Sequence, residues 1–197
     1  MVRHGEVFNP RKILYGRLPR FALSAEGRKQ ARDVAQRLRT RPIEAVFTSP
    51  MLRTRQTAKE IVAFHKDLKP SRSKYLNEVC NPFEGRPGAE IDNRHGDVYT
   101  GAAACFEQPA DVVQRFQRFV ARIRKRHAGQ QVVAVTHGDV ITFMVLWAKG
   151  FSLTPINKAR LQKLGYPAAY PALASITTLI YRTADPKEKP EVRYLSI

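Results

Sequence analysis

The chain has 197 residues, 43% hydrophobic and 26% charged, proportions that build a packed core and exclude a disordered or fibrous polymer. Its 34 Lys and Arg against 17 Asp and Glu give a net charge of +17, which directs it toward anions: nucleic acid, acidic membranes or phosphorylated small molecules. No apolar run approaches the ~20 residues of a membrane span, and the greasiest stretch, 140–148, reads as a buried helix.

Taken in chain order, Met1-Val2-Arg3-His4 carries no apolar signal region, so a cytoplasmic chain is expected. Only Met1 and Val2 precede Arg3, so either the first strand is very short or the natural start lies upstream. Ser24 is placed to cap a helix running to Arg39, with Ala31, Val34, Ala35 and Leu38 on one face. Residues 43–48 read as a short buried strand, followed by a helix over 51–65 with Ala58, Ile61 and Val62 inward. A third helix is predicted from Ala110 to Ala128, with Val112, Val113, Phe116, Val120 and Ile123 as its apolar stripe and Gly129 placed to end it. Residues 132–136 form a continuous apolar run, the pattern of a parallel strand covered on both faces, and the helix over 140–149 follows. Residues 175–182 and 191–195 read as closing strands, antiparallel partners of one another.

Alternating strands and helices predict an α/β fold, a three-layer αβα sandwich with a mostly parallel sheet, built as one domain over 1–197. Residues 77–109 and 151–172, rich in Pro, Gly and aromatics, are expected as insertions that cover a site. Cys80 and Cys105 are too few for a disulfide framework and read as free thiols, and no Cys-x-x-Cys or His-Glu-x-x-His spacing predicts a metal. The arginines at 28, 32, 37 and 39, and those at 115, 118, 122 and 126, fall at helical spacing and read as solvated faces.

In an open α/β sheet, ligands bind beyond the carboxyl ends of the strands. Three predicted strand ends carry phosphate-seeking residues: Arg3-His4-Gly5-Glu6, then Thr48-Ser49-Pro50 with Arg53 in the next helical turn, then His137-Gly138. If the strands are neighbours, two histidines, two arginines and the helix N-termini converge on one place, a pocket for a phosphoryl group.

These segments, in this order, resemble the histidine phosphatase (phosphoglycerate-mutase-like) superfamily. Arg3-His4-Gly5-Glu6 is similar to the signature around its nucleophilic histidine, and Tyr15-Gly16-Arg17 with Leu23-Ser24, Gly27 and Gln30-Ala31 to the segment after it. Thr48-Ser49-Pro50-Met51-Leu52-Arg53-Thr54 with Gln56-Thr57-Ala58 resembles the second block, His137-Gly138 the third, and Ala174-Ser175-Ile176 the closing strand. A second Arg-His-Gly at 94–96 lies in the irregular insertion without a preceding strand and reads as a loop.

The resemblance implies a phosphohistidine on His4, with Arg3, Arg53 and His137 holding the phosphoryl oxygens and offsetting their charge. It implies no cofactor and no metal, because cationic side chains take that role. For the general acid it points to Glu78 first, with Glu84 and Asp139 as rivals. Asn9 and Gly16 are possible substrate-binding residues, although Asn9 falls one position earlier than the family's usual asparagine. A phosphatase is favoured over a mutase-type phosphotransferase, because residues 77–109 hold isolated Arg86 and Arg94 and no arginine pair, and Asp139 stands where mutases carry Asn. The expected partner is a small-molecule or protein phosphomonoester, with phosphate or sulfate able to occupy the pocket and no membrane partner. Phe83, Tyr99, Phe106, Tyr166 and Tyr170 are candidate liners of its walls. The reading from a different class is a non-catalytic binder of nucleic acid or another polyanion. It is disfavoured because the basic residues are spread along the chain without an aromatic-rich strip.

Overall fold

In a computed structural model describing residues 1–197, the apolar runs become strands and the amphipathic stripes become helices. The strands are β1 (Val2–Arg3), β2 (Ile43–Thr48), β3 (Ser71–Arg72), β4 (Gln131–Thr136), β5 (Ile176–Ile180) and β6 (Glu191–Leu195). They form one sheet in the order β3-β2-β4-β1-β5-β6. The first four in chain order are parallel, and β5 and β6 are antiparallel. The sheet is the middle layer of an αβα sandwich.

Strand pleating assigns the two faces, since successive side chains point oppositely. Val133 and Val135 of β4 face one cluster with Val34, Ala35 and Leu38 of α1 (Ala25–Leu38) and Ala58 and Ile61 of α2 (Leu52–Val62). Ala134 and Phe47 face the other, with Val112, Phe116 and Phe119 of α4 (Pro109–Arg126) and nearly all of α5 (Gly138–Ala148). Ser24 caps α1 by accepting Gly27 N–H at 2.9 Å. A reciprocal Gln108–Asp111 capping box and Pro109 at the first turn start α4.

Against the sequence reading, α2 stops three residues early and α4 two, and α5 starts two residues early at Gly138. β1 is two residues long, held between β4 and β5. Edge strand β3 has only two exposed polar residues and no periodicity that could mark it. The segment 77–109 holds the short α3 (Gly88–Asp92), and 151–172 holds a 3₁₀ turn (Pro155–Ala159) and α6 (Arg160–Lys163). Arg115 is not on a solvated face. Its guanidinium bonds both Glu107 oxygens, the Tyr75 carbonyl at 2.7 Å and the Glu78 carbonyl at 3.3 Å.

Candidate active site

The neighbouring β1, β2 and β4 end at one edge of the sheet, which places His4, Ser49 and His137 side by side. The rings of His4 and His137 are 5.3 Å apart, centroid to centroid, and crossed at 64°. His4 is 2% exposed and His137 fully buried. His4 Nδ1 faces the carbonyl of Gly5 at 2.8 Å, an acceptor only, so Nδ1 carries the proton. Nε2 accepts the Nε–H of Arg53 at 3.3 Å, which leaves it as the unprotonated, nucleophilic nitrogen.

Arg53 lies in the first turn of α2, fully buried at the centre of the site. Its Nη2 donates to the Gly16 carbonyl at 2.8 Å and to His137 Nδ1 at 3.1 Å, and its guanidinium lies 4.7 Å from the Tyr15 ring centroid. With Nδ1 accepting, His137 donates through Nε2 to Ser49 Oγ at 2.9 Å, and Ser49 donates to Asn77 Oδ1 at 3.2 Å. That relay fixes the second histidine from behind. Burial first, then the charges of Arg53 and Arg3, hold the His4 imidazole well below its usual range; burial, Arg53 and His4 do the same to His137. Both rings are therefore neutral near pH 7.

Glu78 faces this pair. Its Oε2 is 3.4 Å from His137 Nδ1 and 3.7 Å from Arg53, and Oε1 accepts Val79 N–H at 3.0 Å. Burial raises its pKa above the ordinary carboxylate value; Arg53 opposes the rise and Asp139 adds to it. Arg3 donates to the Pro171 carbonyl at 2.5 Å, lies 4.7 Å from the Tyr170 ring centroid and leaves its buried Nε–H without a partner.

His4, Glu78 and His137 bring three ligand-capable atoms within 4.8 Å of one another, a set that could in principle hold a metal ion. Arg53 lies among these atoms, and a dication there would meet a fixed positive charge at close range. The same charge suits an anion.

The other carboxylates differ in their surroundings. Glu84 Oε1 accepts Arg17 N–H at 2.6 Å beside Gly16, whose φ is +36° and where a Cβ would meet that oxygen at 2.4 Å. It thus braces a turn that only glycine fits. Asp139 accepts Tyr99 O–H at 2.5 Å and Lys158 Nζ at 2.8 Å, tying both insertions to the start of α5. Asn9 is not brought to the cavity: its amide closes a local turn onto the backbone of Ile13. Gly16 is, through its carbonyl on Arg53. Of the five aromatics considered as walls, only Tyr170 lines the cavity of about 380 Å³ that opens from His4, and its ring fills the space a side chain at 138 would need. Leu14, Tyr15, Val79, Ile91, Val98 and Ala169 supply the rest of the apolar wall.

Several supporting residues have no signal in the sequence alone. Glu107 joins Arg17 at 2.7 Å, Cys80 N–H at 2.9 Å and Arg115, locking the backbone around Glu78. These residues are far apart in the chain and meet only once 77–109 folds back. His95, in the second Arg-His-Gly, lies in a loop as read, but that loop forms part of the cavity wall.

A family model described as histidine phosphatase superfamily (branch 1) matches residues 1–172. An uncharacterised protein of Mycobacterium tuberculosis is 39% identical over 188 residues, 92% of this chain and 88% of that one. Phosphoserine phosphatase 1 of Hydrogenobacter thermophilus is 31% identical over 150 residues, 70% of this chain and 69% of that one. Among solved structures, mycobacterial glucosyl-3-phosphoglycerate phosphatase superposes with a TM-score of 0.76 at 23% identity, covering 98% of this chain and 94% of that one, a likeness of fold. With its motifs gathered on three adjacent strand ends and the family match spanning them, this chain belongs to the histidine phosphatase superfamily, branch 1.

Proposed function

We propose that the protein, acting as one domain, hydrolyses a phosphomonoester through a phosphohistidine on His4, with Glu78 as general acid and then general base. The observation that carries this reading is the pairing of a neutral imidazole, its Nε2 unprotonated beside buried Arg53, with a carboxyl whose pKa burial has raised. The first step needs a nucleophile that is free without a base and an acid, and burial biases the two groups toward those states.

In that step His4 Nε2 forms a bond to phosphorus as the ester P–O bond breaks. The leaving oxygen takes the proton of Glu78. Arg3 and Arg53 hold non-bridging oxygens, and the unpartnered Arg3 Nε–H is a donor for one of them. An arriving phosphate dianion offsets the positive field that depresses His137, so that ring can carry a proton and donate as well. In the second step water attacks phosphorus, Glu78 takes its proton, the P–N bond breaks, and phosphate and neutral His4 are regenerated.

Relatives that are phosphatases, including a metal-independent phosphoserine phosphatase of Arabidopsis thaliana that is 30% identical over 162 residues, support water as the acceptor. The test is hydrolysis of p-nitrophenyl phosphate with a chelator present. His4→Ala should lose about 10⁴-fold or more, as removal of a nucleophile does elsewhere, and a rapid quench of native enzyme should trap an acid-labile phosphoenzyme. Turnover by His4→Ala at the native rate would overturn the reading.

A further inference from the structure

The cavity lined by His4 and Arg3 is also lined by a buried cation that the chemistry above does not use. Lys158 stands in the 3₁₀ turn of segment 151–172, is 7% exposed and lines the same cavity as His4. Its ammonium spends two of three protons, on Asp139 Oδ1 at 2.8 Å and on the Gly96 carbonyl at 3.2 Å. The rings of Tyr99, Phe143 and Tyr170, with centroids 5.3 to 5.7 Å from Nζ, hold the charge in place. Asp139 does not belong to Lys158 alone, since its other oxygen accepts Tyr99 O–H.

With the strand-end cations assigned to one phosphoryl group, a fixed ammonium with a spare donor elsewhere on the same cavity wall matches a second acid on the leaving group. His95 stands on the same wall beside Gly96, at φ +53°, a left-handed conformation uncommon for a side-chain-bearing residue. The cavity, about 380 Å³, is at the small end of ligand sites.

We infer that Lys158 is a specificity-determining residue, and that the substrate is a small phosphomonoester whose leaving group carries a second anionic group bound at Lys158. This rests on the phosphatase reading. Two matched pairs test it: phosphoserine against phosphoethanolamine, which lacks the carboxylate, and propanediol bisphosphate against the monophosphate. Native enzyme should prefer the acidic member of one pair about tenfold or more in kcat/KM, as a charged hydrogen bond allows, and the pair that responds identifies the acid.

Lys158→Met should collapse that ratio. His95→Glu, an exposed change that places a like charge on the wall, should lower it and keeps the test valid if Lys158→Met does not fold. No preference in native enzyme, a ratio that both variants leave intact, or hydrolysis of p-nitrophenyl phosphate with none of the four compounds turned over would each overturn the inference alone. Absence of any His4-dependent hydrolysis would instead remove the phosphatase reading beneath it.

Discussion

Burial acts in opposite directions on the two groups that matter most. It disfavours the charged form of each, so it lowers the pKa of His4 and raises that of Glu78. On the proposed mechanism, activity needs His4 unprotonated and Glu78 protonated. The acid limb of kcat/KM therefore lies below the ordinary histidine value of 6.5, and the alkaline limb lies above the ordinary glutamate value of 4.5. We expect a bell bounded by these two limbs, measured with an aryl phosphate at constant ionic strength. Glu78→Gln, which keeps the side chain's shape but not its titration, should cost about 10²–10⁴-fold and abolish the alkaline limb. A limb that persists in Glu78→Gln would move the acid role to another group. That His4, Arg53, His137 and Glu78 would meet was legible because each stands in or beside a short contiguous motif at the end of a predicted element. Lys158 and Glu107 were not, because their meaning is a contact across dozens of residues rather than a local pattern.

At the level of elements, strand ends carry the proposed phosphoryl site, and residues of 77–109 and 151–172 line the cavity beside it. One carboxylate joins the layers: Asp139, in the first turn of α5, takes Tyr99 from one insertion and Lys158 from the other. Tyr99 is 2% exposed, so Tyr99→Phe removes a buried hydrogen bond without opening a cavity. The expected cost is about 1–3 kcal/mol from the unsatisfied carboxylate oxygen. Amide exchange should quicken in 88–101 and 151–172 while β2 and β4 stay protected. Uniform quickening across the sheet would mean that the tie supports the whole fold and not only these two segments. Strands β2, β4 and β5 were readable because each is largely a run of apolar or β-branched residues, and β6 because Val192 and Tyr194 alternate with charged neighbours. Short elements such as Gly88–Asp92 were not, because five residues between Pro87 and Asn93 have no period and take their shape from what they pack against.

Across the whole molecule, 34 basic residues face 17 acidic ones, and folding concentrates that excess charge. Two contributions to stability should follow and can be separated. General self-repulsion is relieved by any salt, so the melting temperature should rise with sodium chloride up to a few tenths molar, as the Debye length shrinks to several ångströms. Site binding is specific: a phosphate that occupies the pocket in the folded state alone stabilises by RT ln(1 + [L]/Kd), about 2.7 kcal/mol at a hundred times Kd. For a chain of this length that is roughly 5–10 °C. At matched ionic strength and pH 7, phosphate should therefore raise the melting temperature by several degrees more than chloride. The site-bound part should also survive in half-molar salt, because the buried Arg53 is screened far less than the helix-face arginines. Equal shifts from the two anions would mean that the charge acts only as a diffuse field, the behaviour of a polyanion binder. An excess for phosphate that persists in high salt belongs to the converging cations at the ends of β1, β2 and β4.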